Sequence, residues 1–103
     1  MDKVEIMIVG PATWNSLNDN VDVEVKFSNG SRWTATFFTI ENIRSIFEKN
    51  KKTGECSSGL YLWASDMVIV ENMTRGVIEE TVQDLLREGE FKKAFSRLPD
   101  VVG

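Results

Sequence analysis

Residues 21–38 read VDVEVKFSNGSRWTATFF, and here alternation, turn chemistry and residue type agree on a β-hairpin. Val21, Val23, Val25 and Phe27 alternate with Asp22, Glu24, Lys26 and Ser28, the two-residue period of a strand with one face in a core and one in water. The chain must then reverse at Ser28-Asn29-Gly30. A two-residue Asn29-Gly30 loop would set Val25 opposite Thr34 and carry Trp33, Ala35 and Phe37 to the charged face. A three-residue loop, a type I turn closed by Gly30 in the left-handed region, pairs Val25 with Trp33, Val23 with Ala35 and Val21 with Phe37. A slip of one residue turns the second strand inside out, so the apolar pattern selects the longer loop. In that register Glu24 faces Thr34 and Lys26 faces Arg32, and the second pair is a mildly unfavourable one of like charges.

Upstream, Lys3 to Val9 alternates imperfectly, with Val4, Ile6 and Ile8 on one face, and reads as an interior strand ended by Gly10-Pro11. Ala12 to Asn20 reads as a polar loop that Trp14 and Leu17 are expected to tuck down. Downstream, Thr39 caps a helix from Ile40 to about Lys49 whose stripe of Ile40, Ile43, Ile46 and Phe47 is expected to face the sheet. Asn50 to Gly59 reads as a loop. Leu60 to Val70 is too apolar for a half-exposed strand. It is expected to form a second, tighter hairpin with arms Tyr61 to Trp63 and Met67 to Val70 and Asp66 in the turn, a single kinked strand being the alternative. Thr74 caps the next helix, whose stripe of Val77, Ile78, Val82, Leu85 and Leu86 runs through Arg87 to a stop at Gly89. Glu90 to Leu98 is expected to be a further short helix ended by Pro99, with Asp100 to Gly103 as a loose tail. This order predicts an α+β fold in a single domain over residues 1–103, a mainly antiparallel sheet of four to five strands with two to three helices packed on one face.

Composition excludes more chemistry than it suggests. The chain has 103 residues and no histidine, which removes the commonest general base, the usual nucleophilic triads and most zinc sites. The one cysteine, Cys56, excludes a thiolate metal site and an intrachain disulfide, and fits a reducing compartment. No Gly-rich phosphate loop and no dinucleotide glycine pattern occurs, so no cofactor is expected. Residues 1–10 carry an acid and too short an apolar run to read as a signal peptide, and no run approaches the roughly 20 apolar residues of a membrane span, so the expectation is a cytoplasmic protein with no membrane partner.

The net charge of −4 is unevenly placed. Between Glu71 and Glu90, six acids (Glu71, Glu79, Glu80, Asp84, Glu88, Glu90) stand against Arg75 and Arg87, whereas Arg44, Lys49, Lys51 and Lys52 outweigh Glu48 and Glu55 in a small basic patch. Overall acidity argues against nucleic acid as the main partner and favours a basic protein. The candidate contact residues are accordingly Glu79, Glu80, Asp84 and Glu88, joined by Trp14 and Trp63 as exposed aromatic anchors. Each has a plainer reading, the acids as a solvated helix face and the aromatics as core filling. A carboxylate pair, Asp66 and Glu71 beside Tyr61 and Trp63, is the alternative for small-molecule binding or hydrolysis, against which Asp66 reads as a turn residue. Cys56 reads as an incidental loop thiol.

The FSNGSRWTATFFT hairpin, the TGECSSGLYLWASDMVIVEN segment and the acidic helix ending DLLREGEF together resemble small stand-alone bacterial proteins, and among these the immunity proteins encoded beside polymorphic or contact-dependent toxins. The resemblance is one of overall character and carries over no functional residue. It implies a cytoplasmic, non-enzymatic inhibitor that binds one toxin domain, often a basic nuclease, by surface complementarity. A homodimer formed through the wet face or an edge of the sheet is a further alternative.

Overall fold

The computed structural model describes residues 3–100; the expected tail beyond Asp100 lies outside them. The central hairpin pairs β2 (Asn20–Phe27) with β3 (Arg32–Thr39), setting Val25 opposite Trp33, Val23 opposite Ala35 and Val21 opposite Phe37. Phe27 N–H donates to Ser31 O at 2.9 Å, Gly30 N–H donates to Phe27 O at 2.9 Å, and Gly30 takes a φ of +89°. These bonds define the three-residue loop closed by a left-handed glycine. Lys26 does face Arg32, but Arg32 turns diagonally to Glu24 at 3.2 Å, which relieves the like-charge pair.

The first strand, β1 (Val4–Val9), pairs antiparallel with β2. On the other side of the hairpin, two short strands share one edge of β3. The first, β4 (Met67–Val70), runs parallel to β3 beside Thr36–Thr39, and β5 (Ser96–Arg97) runs antiparallel beside Trp33 and Thr34. Asp66 makes the junction between them. Its carbonyl accepts from Thr36 N–H at 2.9 Å and its carboxylate from Ser96 Oγ at 2.6 Å, while its backbone sits in the left-handed region at φ +53°.

Four helical segments complete the α+β fold: α1 (Ile40–Thr53), a left-handed turn α2 (Glu55–Gly59), α3 (Arg75–Arg87) and the four-residue α4 (Phe91–Ala94). Thr39 and Thr74 cap α1 and α3 as expected, accepting from Asn42 N–H and Val77 N–H at 3.1 Å each. Gly89, at φ +72°, ends α3 in a Schellman motif in which Glu90 N–H reaches Leu85 O and Gly89 N–H reaches Leu86 O. Ile78 and Val82 of α3, with Phe91 and Phe95, close over Val21, Val23, Val25, Ala35 and Phe37 to make the core. Each such side chain contributes roughly 1.5–3 kcal/mol by leaving water.

Three expectations are corrected. Tyr61 to Trp63 forms no strand, so no second hairpin exists and Met67–Val70 pairs with β3 instead. The second helix after Gly89 is only one turn long: Phe95 is extended, and Ser96 and Arg97 join the sheet. Helix α1 runs on to Thr53, through part of the expected loop. None of its apolar residues enters the core cluster, and its buried residue is the polar Asn50.

Candidate protein-docking face

The apolar surface of this protein is concentrated in one part of the chain. Among the described residues seven large hydrophobic side chains are exposed, and five of them are Ile40 (39 %), Leu60 (78 %), Tyr61 (48 %), Trp63 (71 %) and Ile69 (54 %). Their placement follows from how the chain leaves and rejoins the sheet. Ile40 opens α1 directly after Thr39, the register partner of Val70. Ile69 pairs with Phe38, so it points off the sheet face opposite the core that α3 covers.

Between these two points the chain makes a left-handed turn. Gly54 ends α1 in the left-handed region, and Cys56, Ser57 and Ser58 follow with φ of 50°, 52° and 57°, closed by Gly59 at φ +80°. A Cβ at Gly59 would lie 2.8 Å from Lys51 Cγ and 3.0 Å from Phe47 O, so the chain leaves the turn pressed against the last turns of α1. Residues 60–65 then cross to Asp66 without regular structure, Leu62 and Ala64 half-buried and Leu60, Tyr61 and Trp63 outward. Both Tyr61 and Trp63 are therefore exposed. The surrounding charges on α1 are of both signs, with ion pairs Lys51–Glu48 at 3.0 Å and Lys49–Glu55 at 3.7 Å.

The acids of α3 lie elsewhere. Glu79, Glu80, Asp84 and Glu88 are all exposed, but Glu79 is paired with Arg75 at 3.2 Å and Asp84 with Arg87 at 2.7 Å. Among the described residues Glu80 and Glu88 form no salt bridge. Because α3 packs on the core face, its outer surface and Ile69 look away from the sheet in opposite directions. Trp14 is half-buried. Its indole N–H donates to Met73 O at 2.6 Å and Met73 N–H donates to Ser16 O at 2.6 Å, so Trp14 pins the 12–19 loop to a fully buried residue and is no exposed anchor.

The carboxylate alternative loses its geometry. Asp66 is held by Ser96 and Thr36 at the β4–β5 junction, and Glu71 is exposed beyond the end of β4. Cys56 is half-buried within the left-handed turn. The signal for the apolar face was present in LYLWASDMVIV, where the density of large apolar residues reads as a strand pair but marks a surface. No family model matches the sequence, and comparison with curated proteins and with solved structures yields no match.

Proposed function

We propose that this chain is a non-enzymatic protein-binding module whose contact surface is the Leu60, Tyr61, Trp63 and Ile69 face with its flank at Ile40. The observation that supports this reading is that, among the described residues, four of the seven exposed large hydrophobics fall within residues 60–69, with Trp63 71 % exposed. Trp and Tyr are the residues that most often dominate binding energy at a protein contact. The partner class suggested by the resemblance to immunity proteins is a toxin domain in the cytoplasm. Glu80 and Glu88 would attract a basic partner at long range and raise its rate of encounter without forming the contact itself.

The test is retention of a partner from lysate of the source organism on immobilised protein, compared across three forms. Trp63→Ala combined with Leu60→Ser should lose the partner that the parent chain retains, while circular dichroism stays unchanged because neither side chain is in the core. Glu80→Lys with Glu88→Lys should keep it with a slower association rate. If the α3 variant alone loses the partner, the acidic face is the contact and the apolar reading fails.

A further inference from the structure

The hairpin tip carries a second surface of different chemistry, sharing no residue with the Leu60–Ile69 face. A cleft of about 390 Å³ opens between the end of the hairpin and the α3–α4 junction, lined among others by Phe27, Trp33, Phe91, Lys92 and Arg97. Its floor is aromatic. Phe27, Trp33 and Phe91 meet edge to face with ring centroids 5.4–6.4 Å apart, and Phe27 and Trp33 remain half-exposed. The charged residues lining it are both cations, in a chain whose net charge is −4. Lys92 Nζ stands 5.7 Å from the centroid of the Trp33 ring and forms no salt bridge among the described residues. Among the described residues Arg97 has a single carboxylate contact, Asp100 at 3.4 Å. On the adjoining flank stand Lys26 and Arg32, the latter paired with Glu24 at 3.2 Å, around Asn29 and Ser31.

We propose that this cleft binds a small amphipathic organic anion, a flat apolar body carrying one carboxylate or phosphate group. The body would lie against Phe27 and Trp33, where ring faces and edges favour stacked or edge-on aromatic contact. Its anionic group would meet Lys92 and Arg97, a point charge and a planar fork suited to oxyanions. The size falls within the range of small-molecule sites. Among the described residues Asp100 is the acid paired with a lining cation. It lines the adjoining flank, so an incoming anion would displace its weak contact with Arg97.

The experiment is a nuclear magnetic resonance titration of ¹⁵N-labelled protein with phenyl phosphate and, separately, phenylacetate. Inorganic phosphate and benzyl alcohol serve as probes of each half of the ligand alone. The expected result is saturable movement of the Trp33 indole N–H and the Lys92 and Arg97 amides, with a dissociation constant on the order of 1 mM for whichever anion fits. The two half-ligands should bind at least about tenfold more weakly. Lys92→Gln with Arg97→Gln, both exposed and outside the core, should weaken binding by at least about tenfold with the amide spectrum otherwise preserved. Movement spread over the surface, equal binding of inorganic phosphate or benzyl alcohol, or undiminished binding to the double variant would each overturn the proposal.

Discussion

Thr39 shows how much of this fold passes through single polar groups. Its side chain is fully buried, and its hydroxyl accepts from Asn42 N–H at 3.1 Å and from Asp19 N–H at 3.2 Å, with a longer contact to Asp19 O at 3.4 Å. Thr74 makes the same kind of cap on α3, but it is exposed and bonds Val77 N–H alone. Thr39→Val should therefore cost about 2–3 kcal/mol, the lost cap plus an amide left without its partner, whereas Thr74→Val should cost about 1 kcal/mol. Urea denaturation of the two variants measures the difference. Equal losses would mean that the Asp19 contacts contribute nothing. Both caps were legible from the residues alone, because a threonine before an apolar stripe has a local meaning. The second partner of Thr39 was not, since nothing at Asp19 signals a residue 20 positions away.

At the scale of elements, the strongest local conflict is the left-handed turn α2. Left-handed backbone costs a non-glycine residue about 1–2 kcal/mol, and Cys56, Ser57 and Ser58 adopt it in succession. The turn persists because Gly54 and Gly59 bracket it and two backbone bonds close it, Ser58 N–H to Gly54 O at 3.2 Å and Leu60 N–H to Cys56 O at 3.0 Å. Ser57→Gly should remove one such penalty and raise stability by about 0.5–1 kcal/mol, after allowance for the greater freedom of glycine in the unfolded chain. Thermal unfolding reads this as a rise in Tm; a fall would show that the Ser57 side chain contributes more than its backbone strain costs. The same stretch marks the limit of the sequence reading. The hairpin was legible to the residue because its register is dictated by a period of two with one buried face. The β3–β4 pairing was not, because it is parallel and reached only through α1 and α2. Nor was β5, since Phe91, Ala94, Phe95 and Leu98 repeat at helical spacing while the chain turns extended at Phe95 to meet Trp33. The hairpin-tip cleft was not legible for the same reason, since Phe27 and Trp33 of the hairpin meet Phe91, Lys92 and Arg97 only in the fold.

The whole molecule is unevenly built, and this has a measurable consequence. Its radius of gyration is 14.9 Å, against about 13 Å for a compact domain of this length, and its principal extents are 45 × 30 × 28 Å. The core joins the sheet to α3, Phe91 and Phe95, while α1 and the segment through Trp63 add nothing to that cluster. Regions with few buried apolar contacts open at lower free energy than the core they are attached to. Native-state hydrogen exchange should therefore divide the amides into two groups. Those of β2, β3 and α3 should exchange at or near the free energy of global unfolding, and those of the second half of α1 and of residues 54–66 at least about 2 kcal/mol below it. Thr39 and its partners tie the first turn of α1 to the sheet, so protection should fall along the helix from Asn42 towards Thr53. If the whole of α1 exchanges together with β2 and β3, the molecule is a single cooperative unit and the division fails. A partner seated on Leu60, Tyr61, Trp63 and Ile69 would bury the weak group's apolar side chains and slow its exchange selectively. A partner seated on the acids of α3 would leave residues 54–66 at their unbound rates.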